Sequence, residues 1–275
     1  SHLARCFENS FAFHSNLFNY QSAEKVNILF HDLSDYGTGG ATTVPWNYVI
    51  VALEPFDYVY ETSPTNERMN WLMHHELAHI VAMDKAVGLD RHARKIFLGK
   101  VEPTAENPIT IFYTYLTNPR RYAPRWFHEG IAVFLETWMA GGLGRVLGGY
   151  DEMVFRTMIY DDSYFYDIVG LESEGTTIDF QIGANSYLYG ARFVTYLANQ
   201  YGPEKILEWF NRTDQSKRYF ANQFKQVYGH SLDEEWSQWI RWENQWQKKK
   251  LESIQTNPTT PYRNITKVAL GSVSR

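Results

Sequence analysis

Cys6 is the single cysteine of this 275-residue chain. An intrachain disulfide and a cysteine-built zinc cage are therefore excluded, while the redox compartment is left open. Nowhere do about 18 apolar residues run together, as a membrane-spanning helix requires. The first twenty residues lack the basic start and apolar middle of a secretory leader. Positive charge is also short: 26 Lys and Arg face 31 Asp and Glu, for a net charge of −5. A chain without a basic face has little to offer nucleic acid, so none is expected as a partner. The run Lys248-Lys249-Lys250 reads as the solvated end of a helix.

Aromatic side chains, by contrast, make up 16% of the residues, with 9 Trp and 19 Tyr. A chain of this length can bury a substantial core as one large domain or two smaller ones. That core should be rich in rings carrying polar handles.

Periodicity organises the chain. Residues 3–20 place apolar side chains at helical intervals, and 25–33 and 47–55 read as strands joined by the turn-rich segment "SDYGTGGATTVP". Residues 66–88 form a helix of several turns closed by Gly88. Prolines punctuate 89–125, which reads as irregular with short helical pieces. A second long helix spans 124–142, with Pro124 before it and Gly141 after it. From 185 onward the pattern is helical over 185–201, 203–213, 216–228 and 231–250. The glycine-rich stretch 141–149 reads as a connector or a lid. No internal repeat is present. The fold class is α+β, with a small N-terminal sheet, a motif-bearing helix and a helical C-terminal half. Three parts are expected: 1–140, 141–250, and 251–275 as a linker to a further domain of a longer protein.

The stretch "WLMHHELAHIVA", residues 71–82, puts three histidines and a glutamate on an apolar helix. His75-Glu76-Leu77-Ala78-His79 is an HExxH motif. Four residues is just over one helical turn, so both imidazoles leave the same face and can share one metal ion. Glu76 follows the first ligand and falls beside the metal, where it can take a proton from water and return it to a leaving amine. Zinc suits imidazole ligands and lowers the pKa of water to about 7. Chance core histidines are the bland alternative, so a third ligand is needed. Asp84 lies on the wrong side of the helix. Glu129, in "RWFHEGIAVFLE" (125–136), is the better choice, because it shares a face with Ala132 and Glu136 while Phe127, Ile131, Phe134, Leu135 and Trp138 form the apolar stripe. His128 reads as a surface or supporting histidine more readily than as a ligand. Glu136 either orients a ligand histidine or is an ordinary exposed glutamate.

"HELAH" followed by "WFHEGIAVFLE" resembles the gluzincin group of zinc metallopeptidases, in which a helix bearing W-x-x-E-G-x-A supplies the glutamate ligand. It is most similar to the bacterial peptidase MA-like domains, whose helical tails carry "YGPEK" (here 201–205) and G-x-S-L-x-x-x-W (here "GHSLDEEW", 229–236). The likeness covers roughly residues 20–245. It implies a zincin-like fold, a bound Zn2+ held by His75, His79 and Glu129, and peptide or protein substrates in the periplasm or outside the cell. "Tyr187-Leu188-Tyr189-Gly190" is similar to the Y-x-x-G of the zinc aminopeptidases, which makes Tyr187 the expected oxyanion donor and Tyr189 its reserve. A buried tyrosine in an aromatic core is the alternative. The aminopeptidases hold the substrate amine with a glutamate in G-x-M-E-N on an edge strand. The corresponding segment, 39–51, has no glutamate, so an endopeptidase is expected. Trp46, Asn47, Tyr48 and Val49 are then the candidate substrate-binding strand, or else part of an ordinary buried one. The rival to an enzyme is a peptidase-like scaffold whose zinc organises a binding surface.

Overall fold

The computed structural model describes residues 2–33, 38–53, 67–139, 144–147, 149–172, 184–263 and 265. Helix α1 (His2–Phe18) leads into strands β1 (Asn27–His31), β2 (Gly39–Thr42) and β3 (Tyr48–Ala52). The sheet order is β1-β3-β2; β1 runs parallel to β3 and β2 antiparallel to it. Two strands are where the alternation places them, and the third differs from expectation. Gly-Gly-Ala-Thr has little intrinsic strand preference, yet pairing with β3 orders it, with Gly39 opposite Val51 and Ala41 opposite Val49. Strand β3 is the central strand, so Tyr48 and Val49 have no open edge to offer, and among the described residues the outer strand on that side is β2.

Helix α2 (Arg68–Asp84) carries the HExxH motif. Its cap is Glu67, whose carboxylate accepts from the backbone N–H groups of Met69 and Asn70 at 3.2 and 2.7 Å, satisfying two of the orphan donors of a helix start. Every residue from Leu72 to Asp84 is buried, so the helix has no solvent face, and its polar side chains need partners or a function. The helix stops at Asp84 rather than running to Gly88. Arg94 Nη2 takes the Asp84 carbonyl at 2.8 Å, and Gly88 instead starts the next helix with a φ of 48°, a left-handed value that glycine tolerates.

Helices α3 (Leu89–Ile96) and α4 (Ile109–Thr117) and a 3₁₀ turn at Pro119–Tyr122 fill the proline-punctuated region. Helix α5 (Arg125–Phe134) then runs into a π-helical turn, Leu135–Met139. Helices α6 (Gly149–Tyr160) and α7 (Ile168–Glu172) lie in a stretch whose residue pattern predicts no element. The C-terminal half is helical as expected: α8 (Ala184–Tyr201), α9 (Pro203–Phe210), α10 (Phe220–Tyr228) and α11 (Leu232–Ile254). Ser231 caps α11 in a reciprocal capping box with Glu234.

One aromatic core joins the two halves. Trp126 of α5 lies 4.9 Å, ring to ring, from Trp236 of α11, and Phe193 of α8 lies 4.8 Å from the same Trp236. That core holds residues from both sides of position 140. Among the described residues, no helix is long and apolar enough to cross a membrane. Residues 141–143 and 148 and the last ten residues of the expected linker lie outside the described residues.

Candidate metal centre

His75 and His79 project from α2 one turn apart and meet Glu129, which reaches in from α5. The three facing atoms form a nearly equilateral triangle. His75 Nε2 is 3.2 Å from His79 Nε2 and 3.2 Å from Glu129 Oε2, and His79 Nε2 is 3.3 Å from Glu129 Oε2. A tetrahedral ion with bonds of about 2.0–2.1 Å spaces its ligands by about 3.3 Å. The triangle fits that spacing, and the donors are those that zinc prefers. These residues are one of two three-residue groups, among the described residues, whose ligand atoms lie close enough to hold one ion; the other is His2, Cys6 and Glu67.

The surroundings set the electrostatics. Glu136, in the π-helical turn, accepts from His75 Nδ1 at 2.6 Å, which turns the Nε2 lone pair toward the triangle. Glu136 is therefore neither exposed nor idle. Burial works against charge on His75, but the carboxylates of Glu136 and Glu129 hold its pKa well above the usual value. For Glu129 burial again opposes charge, and His79 and His75 hold it well below the carboxylate range. Burial raises the pKa of Glu76 against the pull of His75 and His79. Gly39 packs so close to Glu76 that an added Cβ would collide with Oε1 and with Leu72. Strand β2 thus forms the wall against which the Glu76 carboxylate rests.

Helix α8 brings Tyr187 to the same place. Its ring stacks on His75 with centroids 6.0 Å apart, and the guanidinium groups of Arg125 and Arg145 sit over it at 5.5 and 5.3 Å. Burial, then the charge of Glu129, keeps the phenol protonated far above its ordinary range. The close approach of α8 to α5 rests on two glycines. A Cβ on Gly130 would meet the Gly190 backbone at 2.7 Å, and one on Gly190 would collide with the Trp126 carbonyl.

An open pocket of about 410 Å³ exposes this centre, with Gly39, Gly40 and Ala41 along one side and Arg121 and Arg125 along the other. Several expected residues lie elsewhere. Tyr189 packs among Phe155, Trp236 and Trp239, because two residues on a helix are about 200° apart and Tyr187 already faces the site. It is no reserve donor. Trp46, 66% exposed, and Tyr48 line a different depression, with Ile28 and Leu29. Asn47 is fully buried and donates to Asp84 at 2.9 Å while accepting from Lys100 at 2.8 Å. Residues 46–49 thus do not line the pocket at the triangle, and β2 is the strand that does. His128 is buried and donates from Nε2 to the Arg120 carbonyl at 3.0 Å, outside the triangle. Asp84 binds Tyr20, Asn47, Arg94 and Lys100.

Two features of the site escaped the sequence reading. The β2 wall had no alternating pattern to betray it. Arg125 did carry a signal, since it stands four residues before Glu129 on one helix, and its Nε lies 3.5 Å from Glu129 Oε1. Comparisons with protein-family models, with curated proteins and with solved structures each gave no match.

Proposed function

We propose that the chain is a zinc-dependent peptidase of zincin-like fold that cleaves internal peptide bonds. The triangle of His75, His79 and Glu129 carries this reading, with a second carboxylate of the pocket, Glu76, beside it and not part of it. A zinc ion held by those three residues supplies Lewis acidity toward a water molecule and a carbonyl oxygen.

The remaining work falls to the chain itself. Glu76 takes the proton of the attacking water and passes it to the leaving amine. Tyr187 donates its phenolic hydrogen to the oxyanion as charge builds there. Glu136 fixes the ring of His75. The outer edge of β2, directly beside Glu76, offers main-chain groups to an extended peptide. Among the described residues lining the pocket, the only carboxylates are Glu76 and Glu129, and both already have roles. Nothing there holds a free substrate amine, which favours an endopeptidase over an aminopeptidase.

The test uses zinc-loaded protein and an unstructured protein substrate. Glu76→Gln should bind zinc with unchanged stoichiometry and lose on the order of 10²–10⁴ in turnover, the range of general-base catalysis. Full proteolysis by that variant would rule out the assignment. Zinc bound by the wild-type protein without any turnover would favour the scaffold reading.

A further inference from the structure

A second cavity, of about 850 Å³, opens beyond the Asp84 end of α2, beside α3 and the turn after α9. It shares no lining residue with the pocket at the triangle. Six cations line it: Lys85, Arg91, Arg94, Lys95, Lys100 and Arg212. Among the described residues only three carboxylates do so, Glu24, Asp84 and Asp214.

The pairing leaves positive charge over. Arg91 takes Asp214 at 2.7 Å, and Arg94 and Lys100 share Asp84 Oδ1 at 3.0 and 2.9 Å. Lys100 also meets Glu24, and Arg212 pairs with Asp90 behind the wall. Among the described residues Lys85 reaches only neutral acceptors, the Phe18 carbonyl and Asn211 Oδ1. Lys95 has no hydrogen bond or ion pair among the described residues. Two ammonium groups at this cavity thus lack an acidic partner among the described residues, in a chain of net charge −5. A bound anion removes that imbalance.

We propose that this cavity binds a multiply charged phosphate-type anion, with the ammonium groups of Lys85 and Lys95 as its principal contacts. The volume exceeds what a single phosphate fills, and Leu98, 95% exposed on the rim, suits the organic part of a phosphate ester. The anion has two conceivable sources, a soluble phosphate compound or a lipid headgroup.

Titration calorimetry of the full zinc-loaded chain with pyrophosphate, and co-sedimentation with phosphatidylglycerol vesicles against phosphatidylcholine vesicles, tests this. We expect saturable binding in at least one arm, weakening as salt rises. Lys95→Glu should reduce the affinity about tenfold or more, as reversal of one contacting charge does. Lys95 is exposed and makes no structural bond, so a thermal melt should show an intact fold; Lys85→Met is the second variant. Binding of pyrophosphate alone identifies a soluble ligand, and binding of the anionic vesicles alone a headgroup. Failure of both probes, or undiminished binding by Lys95→Glu, overturns the proposal.

Discussion

His75 is held at both ends of its ring, by Glu136 on Nδ1 and by the triangle on Nε2, while His79 Nδ1 has no hydrogen-bond partner among the described residues. The difference makes His75 the more rigid of the two, and Tyr187 stacks on that rigid ring. A phenol so placed has one hydrogen to give, which sets up a test. Tyr187→Phe should keep the ring stack and the zinc content and lower kcat by on the order of 10²–10³, with KM little changed. An unchanged kcat would reduce Tyr187 to a packing residue. At this scale much was legible from the sequence alone. The spacing of His75 and His79 is fixed by helical geometry, so their shared face needed no coordinates. Tyr187 rested on a motif likeness alone, because its reach depends on how α8 lies against α5. The fate of Asn47 was invisible, because its partners Asp84 and Lys100 are distant in sequence.

Elements meet at the centre through glycines. Gly190 and Gly130 let the backbones of α8 and α5 touch, which sets the separation of Tyr187 from Glu129. Replacing Gly190 with Ala inserts a Cβ into backbone that has no flexible side chain to yield. The expected cost is about 1–3 kcal/mol of stability by denaturant unfolding, accompanied by weaker zinc binding as Glu129 shifts. Wild-type stability and zinc affinity in Gly190→Ala would show that the helices do not need this contact. Long helices were readable from their 3.6-residue periodicity and from Gly and Pro at their ends, and α9, with Pro203 in its first turn and Gly202 at a φ of 87°, is a case in point. Strand β2 was not readable. Its glycine is required by contact with Glu76 rather than by strand preference, so a tertiary demand overrode the local signal. Strand β3 was found but misplaced at an edge, because strand order is not encoded in alternation.

Across the whole molecule, the motif-bearing helices are held by buried groups that also couple folding to pH. His14 of α1 and His74 of α2 face each other at 3.3 Å. Burial, then the proximity of His74, lowers the His14 pKa to about 3, and burial lowers that of His74 to about 4. Both are neutral in the folded protein, whereas unfolded histidine titrates near about 6.5. Below that pH the unfolded chain binds protons that the folded chain does not, so stability falls with pH from about 6.5 down to about 4. His14→Gln should flatten this acid limb in denaturant titrations at several pH values. An identical slope in the variant would remove His14 from the account.

The central claim concerns the ion itself, and X-ray absorption at the zinc edge of the loaded protein addresses it most directly. The account predicts nitrogen and oxygen neighbours at about 2.0–2.1 Å, scattering from two imidazole rings, and no sulfur. Loss of an oxygen neighbour, or of the zinc, should follow Glu129→Ala. A sulfur neighbour at about 2.3 Å would contradict it, since it would place the ion at Cys6 with His2 and Glu67 and leave His75, His79 and Glu129 without the metal.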